Sequence, residues 1–479
     1  MVKLTINNSI QITKSDFLLY CEAPRHLWAK KHGIEKKSLS VFDQHLIDQG
    51  YQVEELAYKY IQTILIPQNP GKELLWQKTF SDGPFEARCD ALLSPPDLNT
   101  YDLYEIKSST SVDKDDLYDV AYQALIIKSL IDVDHFYLLH LNKDYVRSGE
   151  IDISQLFIAE DVSDKVINLL PEIKLLRSDA IKATQETNFD TLPHCFSPNN
   201  CQYPDVCHPN LPDFSIYDIP QLTQEKKQRL LNIGIIDAKD IPDSFDLNKK
   251  QRLVVERAKT NTVHIDRESL RSEIDRIIYP VYFLDYETCI SAIPQYDGYH
   301  PQQQIVFQYS LHKVDEPGGS VAHTDHISIN KEDPMISLLE SLCVDIGENG
   351  TIIVWNKTFE MTMNKEMAKV HPEFSDFLEQ INQRIYDLGD VVKMGYYLHP
   401  GFKGSWSIKN VLPVMVPELS YKELSINKGD EASMAWWNLT FGQIDNCEKE
   451  LIVEALHKYC KLDTQAMVEI LQRILEFSN

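Results

Sequence analysis

Residues 283–289 read FLDYETC, the tail of an apolar run that carries Asp285 and Glu287 two positions apart. A strand turns alternate side chains to one face, so the two carboxylates share a site in which like charges repel. Such a pair needs a counter-charge. The run opens the last third of the chain, from Tyr279, as a strand; a polar turn, PQYDGYHPQQQ (294–304), and a further strand follow, and the chain ends in a long helix over 448–476. Two later segments offer more acids. WNKTFE (355–360) carries Asn356, Phe359 and Glu360, with Asn356 and Glu360 on one face if the segment is helical, and YCKLD (459–463) carries Tyr459 and Asp463 at the same i, i+4 spacing. Asp285 and Glu287 can then act as ligands to a divalent metal, with Asp387 in RIYDLGD as a reserve acid.

Upstream, strand-like and helical stretches alternate, an α/β pattern. Residues 13–33 read as two short helices, with Thr13 and Asp16 as a capping box, Pro24 opening the second and Gly33 closing it; Cys21 sits at the joint. A helix over about 41–62 precedes strands near 74–80, 86–93 and 101–109, a helix over 116–131 and a strand over 135–141. Asp90 lies in the second of these strands, and YEIKSST places Glu105 and Lys107 on the next, facing the same way. Two acids can hold magnesium through oxygen, while an ammonium orients the attacking water and offsets phosphate charge. On spacing alone the same residues describe a solvated strand face.

Residues 193–212, PHCFSPNNCQYPDVCHPNLP, are rich in Pro, Asn and Cys and look tethered by something other than a core. Cys195, Cys201 and Cys207 recur there as C-x5-C-x5-C and read as metal ligands, with His194 and His208 as loop residues; Cys89, Cys343 and Cys447 read as structural. Residues 213–278 read as a helical connector. Between 223 and 259 it holds nine Lys or Arg against six acids, and IPQLTQEKKQRLLNIGIIDAKDIP (219–242) has the helix, Gly-Ile turn, helix rhythm of hairpins that grip a nucleic-acid backbone, or is a plain linker.

The bulk numbers bound the answer. At 479 residues and 43% hydrophobic composition the chain holds two or three domains, 1–212, 213–278 and 279–479. Nine cysteines without a secretory leader speak against a disulfide framework. No run of about 18 apolar residues occurs and the first residues lack a signal peptide, so the expectation is a cytoplasmic protein with no membrane partner. A net charge of −25 argues against a protein that coats nucleic acid but not against a nuclease, which needs carboxylates for metal and only a local basic path.

Taken in order, Asp90, Glu105 and Lys107, with Glu54 on the preceding helix and Gln123 on the following one, resemble the RecB-like branch of the PD-(D/E)xK nucleases, the CRISPR-associated members included. Glu54 stands where that pattern often has His. The resemblance implies Glu54, Asp90 and Glu105 as metal ligands and Lys107 and Gln123 as catalytic groups. Iron–sulfur members of that branch use one Cys before the core and three after. By that resemblance Cys21 joins Cys195, Cys201 and Cys207 around a 4Fe-4S cluster, with tetrahedral zinc as the alternative. The order D-x-E, N-x2-F-acid, Y-x3-D resembles the DnaQ-like DEDDy exonucleases of the RNase H-like fold. It implies that Asp285, Glu287, Glu360 and Asp463 bind two Mg2+ or Mn2+ ions and that Tyr459 positions the water; Glu360 is longer by a methylene than the usual Asp. Lys409, in GSWSIKNVLP, resembles an S-x-K phosphate contact of such exonucleases. Together these segments look like a bacterial fusion of the two nuclease types. The implied activity is metal-dependent hydrolysis of DNA in preference to RNA, from ends or single strands, in DNA repair or phage defence by analogy. RNA stays open for the second domain, and a nucleic-acid-binding scaffold with lapsed sites is the rival.

Overall fold

The computed structural model describes residues 11–94 and 100–478, so most of the leader read for a signal peptide lies outside the described residues. The chain is mixed α/β and divides into two compact units: Met1–Asn210 with Ser291–Gln303, and Leu211–Ile290 with Gln304–Asn479.

In the first unit, β1 (Ile12–Thr13) runs into the helix Lys14–Glu22, which the Thr13–Asp16 capping box starts as its sequence predicts, and Pro24 opens the helix Pro24–Lys31. The helix Val41–Tyr60 follows. The strands expected over 74–80 and 86–93 are each broken in two: β2 (Glu73–Trp76) and β3 (Thr79–Asp82), then β4 (Phe85–Arg88) and β5 (Ala91–Ser94). The two breaks oppose each other. Gln77 adopts φ +49°, and its N–H donates to the Asp90 carbonyl at 2.9 Å, so the hairpin bends as a pair. Its outer half joins a small sheet, β1-β4-β3. Its inner half joins a five-stranded sheet, β2-β5-β6-β7-β8, with β6 (Thr100–Lys107), β7 (Asp132–Leu141) and β8 (Phe157–Asp161).

β6 and β7 are parallel and the helix Lys114–Ile127 connects them. Leu92, Leu103 and Phe136 pack on one face with Val120 and Ala124 of that helix. Leu93, Tyr104 and Leu139 pack on the other with Val53 and Ala57, and Ala292 completes this second cluster. Segment 291–303 is fastened there by Arg147, which donates to the carbonyls of Pro294 at 2.9 Å and Gln295 at 2.7 Å, and by Gln302, which donates to that of Ser108 at 2.7 Å.

The second unit begins with the helices Gln224–Asn232 and Lys249–Thr260. Gly234, at φ +75°, makes the expected turn, but the helix expected immediately after it shrinks to a 3-10 turn, Ala238–Asp240, capped by Asp237 and closed by Pro242. β9 (His264–Ile265) ends this stretch. The main sheet then forms from β10 (Val281–Ser291), β11 (Gln303–Val314), β12 (Val321–Ile327), β13 (Thr351–Val354) and β14 (Ile385–Asp387), in the order β12-β11-β10-β13-β14. β13 is parallel to β10 and to β14, while β11 and β12 are antiparallel. β15 (Tyr397–Leu398) pairs with β9, which fastens the helical stretch to this unit. The helix Lys357–Val370 follows β13, and the helix Asn446–Ser478 closes the chain. Among the described residues no helix is long and apolar enough to cross a membrane.

Candidate functional site

Among the described residues three clusters of reactive side chains emerge, one of them built from β10. Its ladder with β13 runs from Val281 to Phe283, so Asp285 and Glu287 lie just past the last rung, at the carboxyl edge where open α/β sheets bind ligands. The helix Lys357–Val370 starts three residues after β13 and carries Glu360 in its first turn. The final helix supplies Tyr459 and Asp463 one turn apart. The four acids converge. Burial and the charges of Asp463, Glu287 and Glu360 push the Asp285 carboxyl well above the usual carboxylate range, and burial with Asp463 does the same to Glu287. Burial alone raises Asp463 to about 6; burial and the charge of Asp387 raise Glu360 to about 8.

The extra methylene of Glu360 does not strand it, since Asp285 feels its charge, and its Oε2 is buried without a hydrogen-bond partner. Asp387, the reserve acid, ends β14 and is held by the Lys357 N–H and the Lys393 ammonium, both at 3.1 Å; it flanks Glu360. Lys409 donates to the Tyr459 hydroxyl at 2.9 Å and to the Asn427 carbonyl at 3.0 Å, and the Tyr421 hydroxyl donates to Asp463 at 2.6 Å. Tyr421 and Cys460 were not singled out in the sequence. Candidate ligand atoms of Asp285, Glu287 and Cys460 all lie within 4.8 Å of one another. Carboxylates crowded at one sheet edge, one with an orphaned oxygen, fit a divalent cation.

The second cluster forms at the hairpin bend. Asp90 and Glu105 each lie one position beyond the last rung of the β5–β6 ladder, Ala91 opposite Tyr104, and the Asp90 carboxylate accepts the Ile106 N–H at 2.9 Å. Burial and the Glu105 charge push Asp90 well above the usual carboxylate range. Burial also acts on Glu105, yet the ammoniums of Lys14, at 2.6 Å, and Lys107, at 3.3 Å, outweigh it and hold Glu105 below that range. Gln123 donates to Glu105 at 2.7 Å and to Asp119 at 3.0 Å. Asp119, raised to about 6 by burial and Glu105, also pairs with Lys107. Glu54 accepts from Gln77, the residue at the opposite break. Lys14 and Asp119 were missed in the sequence. Asp119 sits one helical turn before Gln123, a readable spacing, whereas nothing local marks Lys14.

The third cluster corrects the expectation for Cys21. Cys195, Cys201 and Cys207 come together, but the fourth member is His26: their ligand atoms lie within 4.8 Å of one another and all four residues are buried. Cys21 lies on the preceding helix, packed against the first unit's core, where burial and the Asp115 charge push its thiol up to about 12. The break at Ala23–Pro24 turns the next helix so that His26 faces the loop. His26 Nε2 is 3.3 Å from Cys201 Sγ, and its Nδ1 is 3.4 Å from the Glu22 carboxylate. His208, read as a plain loop residue, places Nε2 3.1 Å from Cys195 Sγ. Arg25 donates to the carbonyls of Leu192 at 2.8 Å, Asp190 at 3.1 Å and Val206 at 3.2 Å, tying the loop to the helix. The cluster can hold a metal. Cys89 is buried in the core, and Cys343 and Cys447 are exposed.

The C-terminal cluster overlaps a region shared with other proteins. A family model described as a domain of unknown function, DUF2779, matches residues 282–407. That span holds Asp285, Glu287 and Glu360 but stops short of Lys409, Tyr459 and Asp463. The chain is 32% identical over 213 residues to the uncharacterized protein UU173 of Ureaplasma parvum serovar 3, covering 40% of this chain and 30% of that relative. It is 29% identical over 219 residues to the uncharacterized protein MG366 homolog of Mycoplasma pneumoniae, covering 41% and 32%. The chain thus spans about a third of the length of the curated relatives it matches.

Proposed function

We propose that the protein is a metal-dependent nuclease that hydrolyses phosphodiester bonds of DNA, with its principal site on the C-terminal sheet. Asp285 and Glu287, whose carboxylate oxygens lie within 4.8 Å of each other, with Asp463 and Glu360 near enough to act on the Asp285 carboxyl, carry this reading. The order β12-β11-β10-β13-β14 is what an RNase H-like domain requires, and the bent hairpin followed by β6, a helix and β7 is what a PD-(D/E)xK domain requires. Bound Mg2+ or Mn2+ would polarise the phosphate and lower the pKa of the attacking water. The chain's own groups supply the rest. Asp285, Glu287, Glu360 and Asp463 would hold the ions; Tyr421 orients Asp463 by its hydroxyl. Because Lys409 donates to the Tyr459 oxygen, the Tyr459 proton is directed elsewhere, toward a water it can align for attack. Lys409 is therefore a positioning residue rather than a phosphate contact.

In the N-terminal unit Asp90 and Glu105, with Glu54 at the border, would hold metal beside Lys107 and Gln123, and the buried set of one histidine and three cysteines would hold a metal of its own. A second reading has a specific basis: Lys14 and Gln123 occupy both oxygens of Glu105, which favours a unit that binds nucleic acid while the C-terminal unit cleaves. The test offers labelled single- and double-stranded DNA and RNA, with Mg2+ or Mn2+, to wild type, Lys107→Ala and Asp285→Ala. Loss of cleavage in Asp285→Ala supports the proposal. No metal-dependent hydrolysis by anaerobically purified wild type would end it.

A further inference from the structure

We infer that His26, Cys195, Cys201 and Cys207 form a single-zinc site, and that the four-iron cluster implied by resemblance does not fit this chain. The inference is independent of the hydrolytic reading. Three observations carry it.

The first is size. Around one tetrahedral zinc with Zn–S bonds of about 2.3 Å, sulfur ligands stand roughly 3.8 Å apart. The four ligand atoms here lie within 4.8 Å of one another. In a cubane each thiolate binds a different iron, so its ligands are spread over the corners of the cluster rather than gathered around one point. The second is composition. Three cysteines with one histidine are a common structural zinc set, and the thiol that a four-cysteine cluster would need, Cys21, has Asp115, Lys114 and Glu172 as its charged neighbours rather than the loop cysteines. The third is the surroundings. His26 turns Nε2 to Cys201, while the Glu22 carboxylate stands 3.4 Å from Nδ1 and would complete a carboxylate–histidine–metal relay once drawn in by a bound ion. His208 approaches Cys195 Sγ at 3.1 Å as a second donor that would soften the charge of three thiolates. The ion would join the helix Pro24–Lys31 to a loop about 170 residues later in the chain. Closing so long a loop is a role for a structural ion rather than a reactive one.

Full-length protein purified anaerobically, analysed for zinc, iron and acid-labile sulfide and by absorbance, decides this. We expect colourless protein with about one zinc per chain. Cys21→Ser and His208→Ala should keep that zinc, whereas His26→Ala should lose it to a chelator at least about tenfold faster. His26→Cys, which restores a fourth ligand, should retain it, and this guards against a His26→Ala chain that merely fails to fold. In cobalt-loaded wild type, tetrahedral ligand-field bands should appear and should shift in His26→Cys. Brown protein carrying iron and sulfide overturns the geometry. One iron without sulfide overturns the choice of metal, and zinc lost in Cys21→Ser or His208→Ala but kept in His26→Ala overturns the ligand set.

Discussion

In the N-terminal unit Glu105 lies 2.6 Å from Lys14 and 3.3 Å from Lys107; in the C-terminal unit Asp285 is crowded by Asp463, Glu287 and Glu360, and Lys409 is engaged with Tyr459. The N-terminal cluster carries its own cations, Lys14 and Lys107. In the C-terminal cluster the Lys409 ammonium acts on Asp285, Glu287 and Asp463, but it does not outweigh their burial, and Asp285 and Glu287 stay well above the usual carboxylate range. Desolvated like charges are costly unless compensated, so the C-terminal cluster has the stronger demand for an external ion than the N-terminal one. The two are therefore separable by experiment, although both look like acid-rich strand edges.

The largest expected difference is in cleavage. Asp285→Ala should abolish hydrolysis by the C-terminal unit, because a metal ligand is removed, and Lys107→Ala should remove only whatever cleavage the N-terminal unit performs. Product profiles of the two variants on one labelled substrate measure this, and identical profiles would mean that the sites are not independent. A smaller effect is expected from Lys409→Gln: kcat falling about ten- to a hundredfold with KM little changed, as for an outer partner that orients a reacting group. A KM effect alone would restore the phosphate-contact role.

Next is the response to metal in thermal melts. Mg2+ at a hundredfold excess over its Kd should stabilise wild type by about 2.7 kcal/mol, and Asp285→Asn should remove that gain. In chelator the same variant should melt above wild type, since one repelling charge is gone. Lower stability of Asp285→Asn without metal would show that the cluster is compensated in a way the geometry does not reveal.

The subtlest contrast is in pH. Glu360 and Asp463 titrate higher in the folded chain, at about 8 and about 6, than in the unfolded one, so folding takes up protons there. Stability of the chelated protein contributed by this cluster falls as pH rises from the ordinary carboxylate range through those values. Glu105 is shifted the other way, and its contribution is present above the unfolded carboxylate pKa and lost as pH falls below it. Chemical denaturation from about pH 5 to 8.5, repeated for Glu360→Gln, checks the sign: the variant should flatten the decline.

Much of the C-terminal cluster was legible because its residues sit at fixed offsets on regular elements. The apolar run at 283, the i, i+4 pair at 459/463 and the long last helix read directly from periodicity, whereas Asn356 is the N-cap of the helix that carries Glu360 in its first turn and does not share a helix face with it. The third cluster was legible only in part. C-x5-C-x5-C in a polar loop announces ligands, but choosing between Cys21 and His26 depends on the turn at Ala23–Pro24, which rotates one helix relative to the other. The spacing of Glu22 and His26 was the available signal. The hairpin-bend cluster was least legible: the bend at Gln77 and Asp90 interrupts strands whose alternation continues unbroken, and Lys14 arrives from a segment 91 positions before Glu105.

Segment 291–303 belongs to the first unit while β10 before it and β11 after it build the second. The backbone consequently passes from one unit to the other three times, at 210/211, 290/291 and 303/304. Cutting a gene at 210 would yield a first half deprived of Ala292 from its core and a second half with a stray insert. Dissection of this protein should therefore proceed by single substitutions in the intact chain, since neither unit exists as one uninterrupted piece of sequence.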